Sequence, residues 1–494
     1  MKYISTRGNN QKITSAEAII KGLADDGGLF VPEEMPKVDM DFIEGLRNLS
    51  YQERAVMVLK QFLTDYTQED LEGCVERAYG NGKFDNKDIA PVKALKDVSV
   101  LELWHGPTSA FKDMALQLLP QLLSTALGKT GEKNEVVILV ATSGDTGKAA
   151  LEGFRDVPQT KIMVFYPDNG VSRIQRLQMV TQKGGNVSVI AVKGNFDDAQ
   201  SGVKAIFSNQ GIKAQLMEKG VSLSSANSIN WGRLVPQIVY YFSAYADLLN
   251  KDRIKAGDKI SFVVPTGNFG DILAGYYAMA MGLPVNKLVC ASNSNNVLTD
   301  FLTTGIYDRN RAFYKTISPS MDILISSNLE RLLYHITGDA NKVAGWMQQL
   351  AEEGCYNVGP EVLDKIKAVF AADWSDDEAT GKQIADEYSK EKYVADPHTA
   401  VAWRAAEKAS GIGETVVVST ASPYKFNESV LNALGHDING KDEFTLLDEL
   451  ARVNTDGIPA GLAGLKGADI LHSRVVDKNE MKNVVFDFSI NTKQ

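Results

Sequence analysis

A series of short apolar runs recurs along this chain, at residues 98–103, 136–141, 161–167, 186–192, 260–265, 287–292 and 414–420, and it limits the fold more than any other feature. The runs are rich in β-branched residues and do not alternate with polar ones, so they read as strands buried on both faces. Helical spacing fills the stretches between several of them, as in 148–154 and 272–282. Strand, glycine-bearing turn, helix and strand again is the pattern of a doubly wound α/β region. Ligands in such sheets lie at the carboxyl ends of the strands, where the glycine loops of this chain fall.

Around that region the pattern changes twice. Residues 1–95 read as a mostly helical unit, with helical spacing at 15–23, 40–49, 50–63 and 67–80. Ser15 is the expected cap of the first of these helices, without a Glu or Gln at the third position after it. Both glycine loops lie outside this unit, and ISTRG (4–8) reads as an edge strand and turn. Residues 294–395 are helical and charge-rich and read as an insertion within the α/β region; the last ~50 residues carry only short mixed elements. A chain of 494 residues has room for about three domains. A net charge of −10 argues against nucleic-acid or anionic-membrane partners, which need a basic face, but leaves room for a small anionic ligand. Three separated cysteines and five histidines without metal-ligand spacing point away from a metal site and toward a reducing, cytoplasmic setting. Neither a secretory leader nor a membrane span is expected.

The chemistry concentrates where strands hand over to helices. After 98–103 comes HGPTS, and then Phe111, Met114, Ala115, Leu118, Leu119, Leu122 and Leu123 fall on one helical face. This predicts a single helix with Lys112 in its first turn. An ammonium there is disfavoured by about 0.3–1 kcal/mol through the helix dipole. A lysine held as a neutral amine or imine escapes that penalty, and the same turn offers N–H groups to an anion. TGNFGD (266–271) is either an ordinary tight βα turn or an anion cradle, its two glycines allowing the left-handed conformation that turns amides inward. SGDTG (143–147), followed by Lys148, lacks the spacing of a P-loop, so a nucleoside triphosphate is not expected. It reads as a second anion-binding loop. Thr420 closes a buried strand with a neutral hydroxyl. A reactive lysine, a phosphate loop and a neutral partner for a ring nitrogen are the parts of a pyridoxal-phosphate site.

Beyond these loops, YISTRG, GLADDGGLFVPEEMP, HGPTSAFKDMALQ, ATSGDTGKAAL, NSINWGR, VPTGNFGD, DPHTA and VVVST together resemble the long-form threonine synthases, from Tyr3 to about Phe426. The resemblance implies a fold-type II, tryptophan-synthase-β-like architecture. A large domain (96–130 and 233–494) would hold the cofactor, and a small domain (131–232) would close on substrate. It implies that Lys112 carries pyridoxal 5'-phosphate and that Gly267, Asn268, Phe269 and Gly270 cradle the cofactor phosphate, with Asp271 opening the next helix. Thr420 would meet the pyridine nitrogen. Ser143 and Thr146 would take the substrate carboxylate, and Asn227 and Arg233 the substrate phosphate. The implied reaction is conversion of O-phospho-L-homoserine and water to L-threonine and phosphate, by a cytoplasmic monomer or homodimer. Another lyase or synthase of the same fold, or a non-catalytic binder of phosphorylated metabolites, is the competing reading. One departure stands out: Ser422 occupies the position where family members often have histidine.

Overall fold

The computed structural model describes residues 1–9, 11–142, 144–168, 171–409 and 413–490. Two sheets organise the chain. The larger runs, in spatial order, Phe370–Trp374, Val285–Ser292, Ile260–Pro265, Thr415–Ser419, Ser99–Glu102 and Val92–Ala94. Every neighbouring pair is parallel except the last. The smaller runs Val475–Val476, Val187–Val192, Thr160–Pro167, Glu135–Ala141 and Val221–Ser224, all parallel. The apolar runs of the sequence thus all become sheet strands, and those of the larger sheet are buried at nearly every position, as continuous β-branched runs require.

The structure departs from the sequence pattern in four places. The helix read from Ser109 is two helices, Lys112–Leu116 and Leu119–Thr130. Pro120 supplies the reason, since its ring excludes the carbonyl four residues back and it has no N–H to donate. The first helix is capped by Thr14, not Ser15, in a complete capping box with Glu17. The stretch 294–395 is not only helical. It contains Phe370–Trp374, which forms an edge of the larger sheet, and the antiparallel pair Ile306–Asp308 and Cys355–Asn357. Finally, the C-terminal segment returns to the smaller sheet through Val475–Val476, and its helix Met481–Ile490 packs on the helices that flank that sheet.

The helices of 1–95 pack along helix Trp231–Asn250, which is buried almost all round. Tyr3 packs tilted and Phe62 edge-on against Trp231, at 5.2 and 5.6 Å between ring centroids. Tyr3–Ser5 and Phe30–Pro32 form a two-stranded antiparallel pair, the edge strand that ISTRG suggested. Helix Asp145–Phe154 of the smaller sheet lies directly against the end of Lys112–Leu116. A Cβ added at Gly153 would sit 1.8 Å from the Leu116 carbonyl oxygen, so only glycine lets the two helices approach this closely. That contact brings the two sheets' loops together.

Candidate active site

Lys112 begins its helix because the chain before it is pinned to the end of strand Thr415–Ser419. Phe111 donates its amide to the Thr420 carbonyl (2.8 Å) and Ser422 donates to the Ser109 carbonyl (3.1 Å), with Ala110 and Ala421 bridged between them. Ser109 takes a left-handed φ of 59° to make the turn. Thr108 donates both its amide and its hydroxyl to Asp113, each at 2.8 Å, closing the loop on the helix's first turn. Lys112 and Thr420 are therefore neighbours through backbone pairing alone.

The Lys112 side chain is 12% exposed. Its Nζ donates to Ser320 Oγ at 3.2 Å and stands 3.6 Å from Asp145 Oδ2. Burial lowers the pKa of this amine; Asp145 opposes the shift, and the cations of Lys425 and Arg233 reinforce it. Asp145 is held well below the usual carboxylate range. Its own burial would raise it, but Lys425 and Lys112 outweigh that. Lys425 is completely buried, with Nζ 2.5 Å from Asp145 Oδ1 and 3.0 Å from the Thr108 carbonyl. The pair joins the smaller sheet's helix to the larger sheet's last turn.

The loop 266–271 faces this cluster. Its carbonyls are held from behind: Ser326 Oγ donates to Gly267 O (2.8 Å), and Asn328 donates its amide (3.1 Å) and Nδ2 (3.0 Å) to Asn268 O. Among the described residues the backbone amides of Gly267, Asn268, Phe269 and Gly270 have no protein acceptor. The left-handed residue is not one of the two glycines, as the sequence suggested, but Phe269, at φ 62°. Gly267 is needed for space, since an added Cβ would lie 2.9 Å from the Ser320 carbonyl oxygen. One oxygen of the Asp271 side chain, Oδ1, is committed elsewhere, accepting from Tyr240 (2.6 Å) and Tyr241 (2.8 Å), while Oδ2 is buried without a partner. Burial pushes its carboxyl up to about 6, against the lowering effect of the two tyrosines.

Arg233, in the first turn of Trp231–Asn250, is buried. One guanidinium nitrogen donates to the Ala226 carbonyl at 2.5 Å, while Nε has no partner. Burial lowers it to about 10. A buried guanidinium with a free donor beside a helix N-terminus is a strong anion site. Asn227 lies exposed on the loop whose Ala226 caps Arg233. In the second loop Thr142 Oγ1 accepts from the amides of Gly144 (3.0 Å) and Gly147 (3.1 Å). Thr146 is half-buried in the first turn of Asp145–Phe154; Ser143 lies outside the described residues.

Three groups absent from the sequence reading complete the cluster. Lys425 was visible only as part of ASPYKF, and Ser320 carried no signal at all in a polar loop. His398, within DPHTA, accepts from the Ser320 amide through Nε2 at 3.1 Å and is hydrogen-bonded to Asp396 through Nδ1 at 2.6 Å.

A buried amine of lowered basicity, facing a set of open amides across the carboxyl ends of a parallel sheet, defines a pyridoxal-phosphate-dependent enzyme. The family description "Pyridoxal-phosphate dependent enzyme" matches residues 94–363, flanked by "Threonine synthase N terminus" at 2–79 and "Threonine synthase, C-terminal" at 399–484. The chain belongs to the threonine synthase family. It is 42% identical to a threonine synthase of Pseudomonas aeruginosa over 438 residues, 88% of this chain and 90% of that one. It is 40% identical to the human protein named threonine synthase-like 1, covering 87% of this chain but 60% of that one. The crystal structure of PLP-bound threonine synthase from Brucella melitensis matches at a TM-score of 0.88 and 39% identity, covering 99% of this chain and all of that one.

Proposed function

We propose that this chain converts O-phospho-L-homoserine and water to L-threonine and phosphate, with pyridoxal 5'-phosphate as cofactor. The residues fit the cofactor: Lys112 is a lysine of lowered basicity, and the unpartnered amides of 267–270 form a cradle for a phosphate. Lys112 would hold the aldehyde, the 267–270 amides the phosphate, and the Thr420 hydroxyl the pyridine nitrogen. When bound, the cofactor supplies an electron sink for negative charge developing beside the substrate amine.

The remaining work falls to side chains of this chain. Arg233 and the first turn of its helix bind the substrate phosphate, with Asn227 at the rim. The SGDTG loop, through Ser143 and Thr146, binds the carboxylate. Lys112 Nζ takes the Cα proton and returns protons along the substrate chain, for which its lowered basicity suits it. Asp145 and Lys425 bring the two sheets' loops against each other, and this excludes water until phosphate has left. The three cysteines are free thiols, Cys74 and Cys290 buried, which supports a reducing cytoplasm.

The observation that carries this reading is Arg233: a second, buried anion site, separate from the 267–270 cradle, whose charge reaches Lys112. A substrate with a phosphate of its own accounts for it; a simple hydroxyamino acid does not. In the test, purified protein with O-phosphohomoserine yields inorganic phosphate and threonine one to one. Arg233→Ala should lower kcat/KM by roughly 10²-fold or more with cofactor content unchanged, the cost of losing a charge-assisted phosphate contact. Phosphate released with a 2-oxo acid in place of threonine would assign the chain to a lyase activity instead.

A further inference from the structure

Lys112 must be held in two protonation states if it takes a proton and later returns it. Asp145 cannot do this alone. A carboxylate kept ionised only accepts hydrogen bonds, so it favours the ammonium and offers nothing to the lone pair of the neutral amine. A hydroxyl both accepts and donates. Ser320 Oγ is that hydroxyl, and at 3.2 Å it is closer to Nζ than the 3.6 Å of the carboxylate.

Ser320 is held from three sides. It sits in the single turn Pro319–Met321. From one side the loop is tied down by Asp322. Its Oδ1 accepts from Thr316 Oγ1 and Asn293 Nδ2 (both 2.8 Å) and Asn295 Nδ2 (3.0 Å), and its Oδ2 accepts from the Thr316 amide (3.0 Å). From another side the Ser320 carbonyl lies against Gly267. The third tie is His398 Nε2, which accepts the Ser320 amide. A ring nitrogen can accept only when unprotonated, so the proton must be on Nδ1, donated to Asp396. Asp396 is itself buried and caps helix Pro397–Ala405, accepting the amides of His398 and Thr399. Phe426 packs edge-on against the imidazole at 4.9 Å.

We propose that Ser320 is a further catalytic residue, hydrogen-bonded to Lys112 in both of its protonation states, and that His398 and Asp396 are positioning residues that set Ser320 through its backbone amide. This rests on the reading of Lys112 as the base. Asp396 orients the ring, the ring orients the amide, and the amide aims the hydroxyl at Nζ.

The test uses Ser320→Ala, His398→Phe and the double variant, with His398→Gln as the conservative partner whose side-chain oxygen still accepts an N–H. Two measurements are made. One is the rate of acetylation of Lys112 in the cofactor-free full-length chain, followed by peptide mass spectrometry. The other is exchange of the substrate's Cα hydrogen with D₂O in the loaded enzyme, with kcat and KM. The hydrogen bond to the charged ammonium is the stronger of the two, so its loss in Ser320→Ala should speed Lys112 acetylation at pH 7 about twofold or more. Exchange and kcat should fall about tenfold or more, with KM changed less than about threefold, because the interaction serves proton transfer and not binding. His398→Phe should reproduce both effects. The double variant should be no worse than either single, since the two residues act through one contact. His398→Gln should recover most of the loss. Multiplying losses in the double variant, or wild-type acetylation and exchange in Ser320→Ala, would overturn the proposal. Because acetylation needs no substrate, it still reads Ser320 if the chain proves to turn over a different one. Should His398→Phe not fold, Ser320→Ala and His398→Gln decide the matter.

Discussion

The two glycine loops of this protein share a position, each at the end of a buried parallel strand and the start of a helix, yet they satisfy their backbones to different degrees. In 266–271 the carbonyls are held from behind by Ser326 and Asn328, and the amides of 267–270 are left open. Among the described residues of 142–147, Thr142 Oγ1 takes the amides of Gly144 and Gly147, and only those of Asp145 and Thr146 are left open. Open buried amides are costly without an acceptor. A loop that keeps four of them suits a ligand that is nearly always present. A loop that meets part of its own needs suits a ligand that comes and goes. This agrees with the proposed roles, the cofactor phosphate in the first loop and the substrate carboxylate in the second.

The largest expected effect separates the loops from the amine they both face. Lys112→Ala should lower turnover by roughly 10⁴-fold or more, as loss of a covalent and proton-transferring group does. It should still bind pyridoxal phosphate non-covalently, measured by fluorescence titration. Complete loss of binding would mean that 267–270 is not a preset cradle. Next, Gly267→Val should lower cofactor affinity about tenfold or more, because its Cβ would meet the Ser320 carbonyl at 2.9 Å and neither backbone yields easily. Gly270→Ala, whose nearest contact would be an ordinary 3.5 Å, should bind cofactor as the parent does. Equal losses in the two glycine variants would remove the role assigned to Ser320's carbonyl.

Thr142→Val tests the other loop. The Gly144 amide loses its acceptor and the Gly147 amide keeps only the Gly144 carbonyl, a cost of about 1–3 kcal/mol in stability, and the apparent KM should rise while cofactor affinity changes less than about twofold. A matching loss of cofactor would show that the loops are not independent. The smallest effect concerns Asp271, behind the first loop. Its folded pKa of about 6 is raised from 3.8 by burial. A raised carboxyl binds its proton more tightly in the fold, so it is most favourable below pH 3.8. That advantage is lost as pH rises from 3.8 to about 6 and changes no further above. The melting temperature of the parent relative to Asp271→Asn should fall across that window and then level. A difference that grows with pH would place the charge elsewhere.

Local pattern reached far into this site. Lys112 was legible because a strand, a tight loop and a helix start are all short-range features, and Thr420 because a strand end is. The detail of how 266–271 turns was not. Glycine at either end suggested the left-handed residue, but the structure places it at Phe269 and uses Gly267 for clearance, a requirement imposed by Ser320, which lies 53 residues on. Likewise the apolar spacing ran on past Pro120 and concealed the break there, and the edge strand Phe370–Trp374 was hidden in a charge-rich helical stretch because an edge strand need not be apolar on both faces.

What the residues determined by themselves is the alternation of buried strands and helices, the two loops at strand ends and the lysine between them, since each depends on hydrophobic period and on turn chemistry within a few positions. What only the tertiary structure decided is the company that lysine keeps. Asp145, Arg233, Ser320, Lys425 and, through Ser320, His398 come from five separate segments, and their effect on one amine depends on distance and burial. Neither quantity exists in a chain until the two sheets have packed.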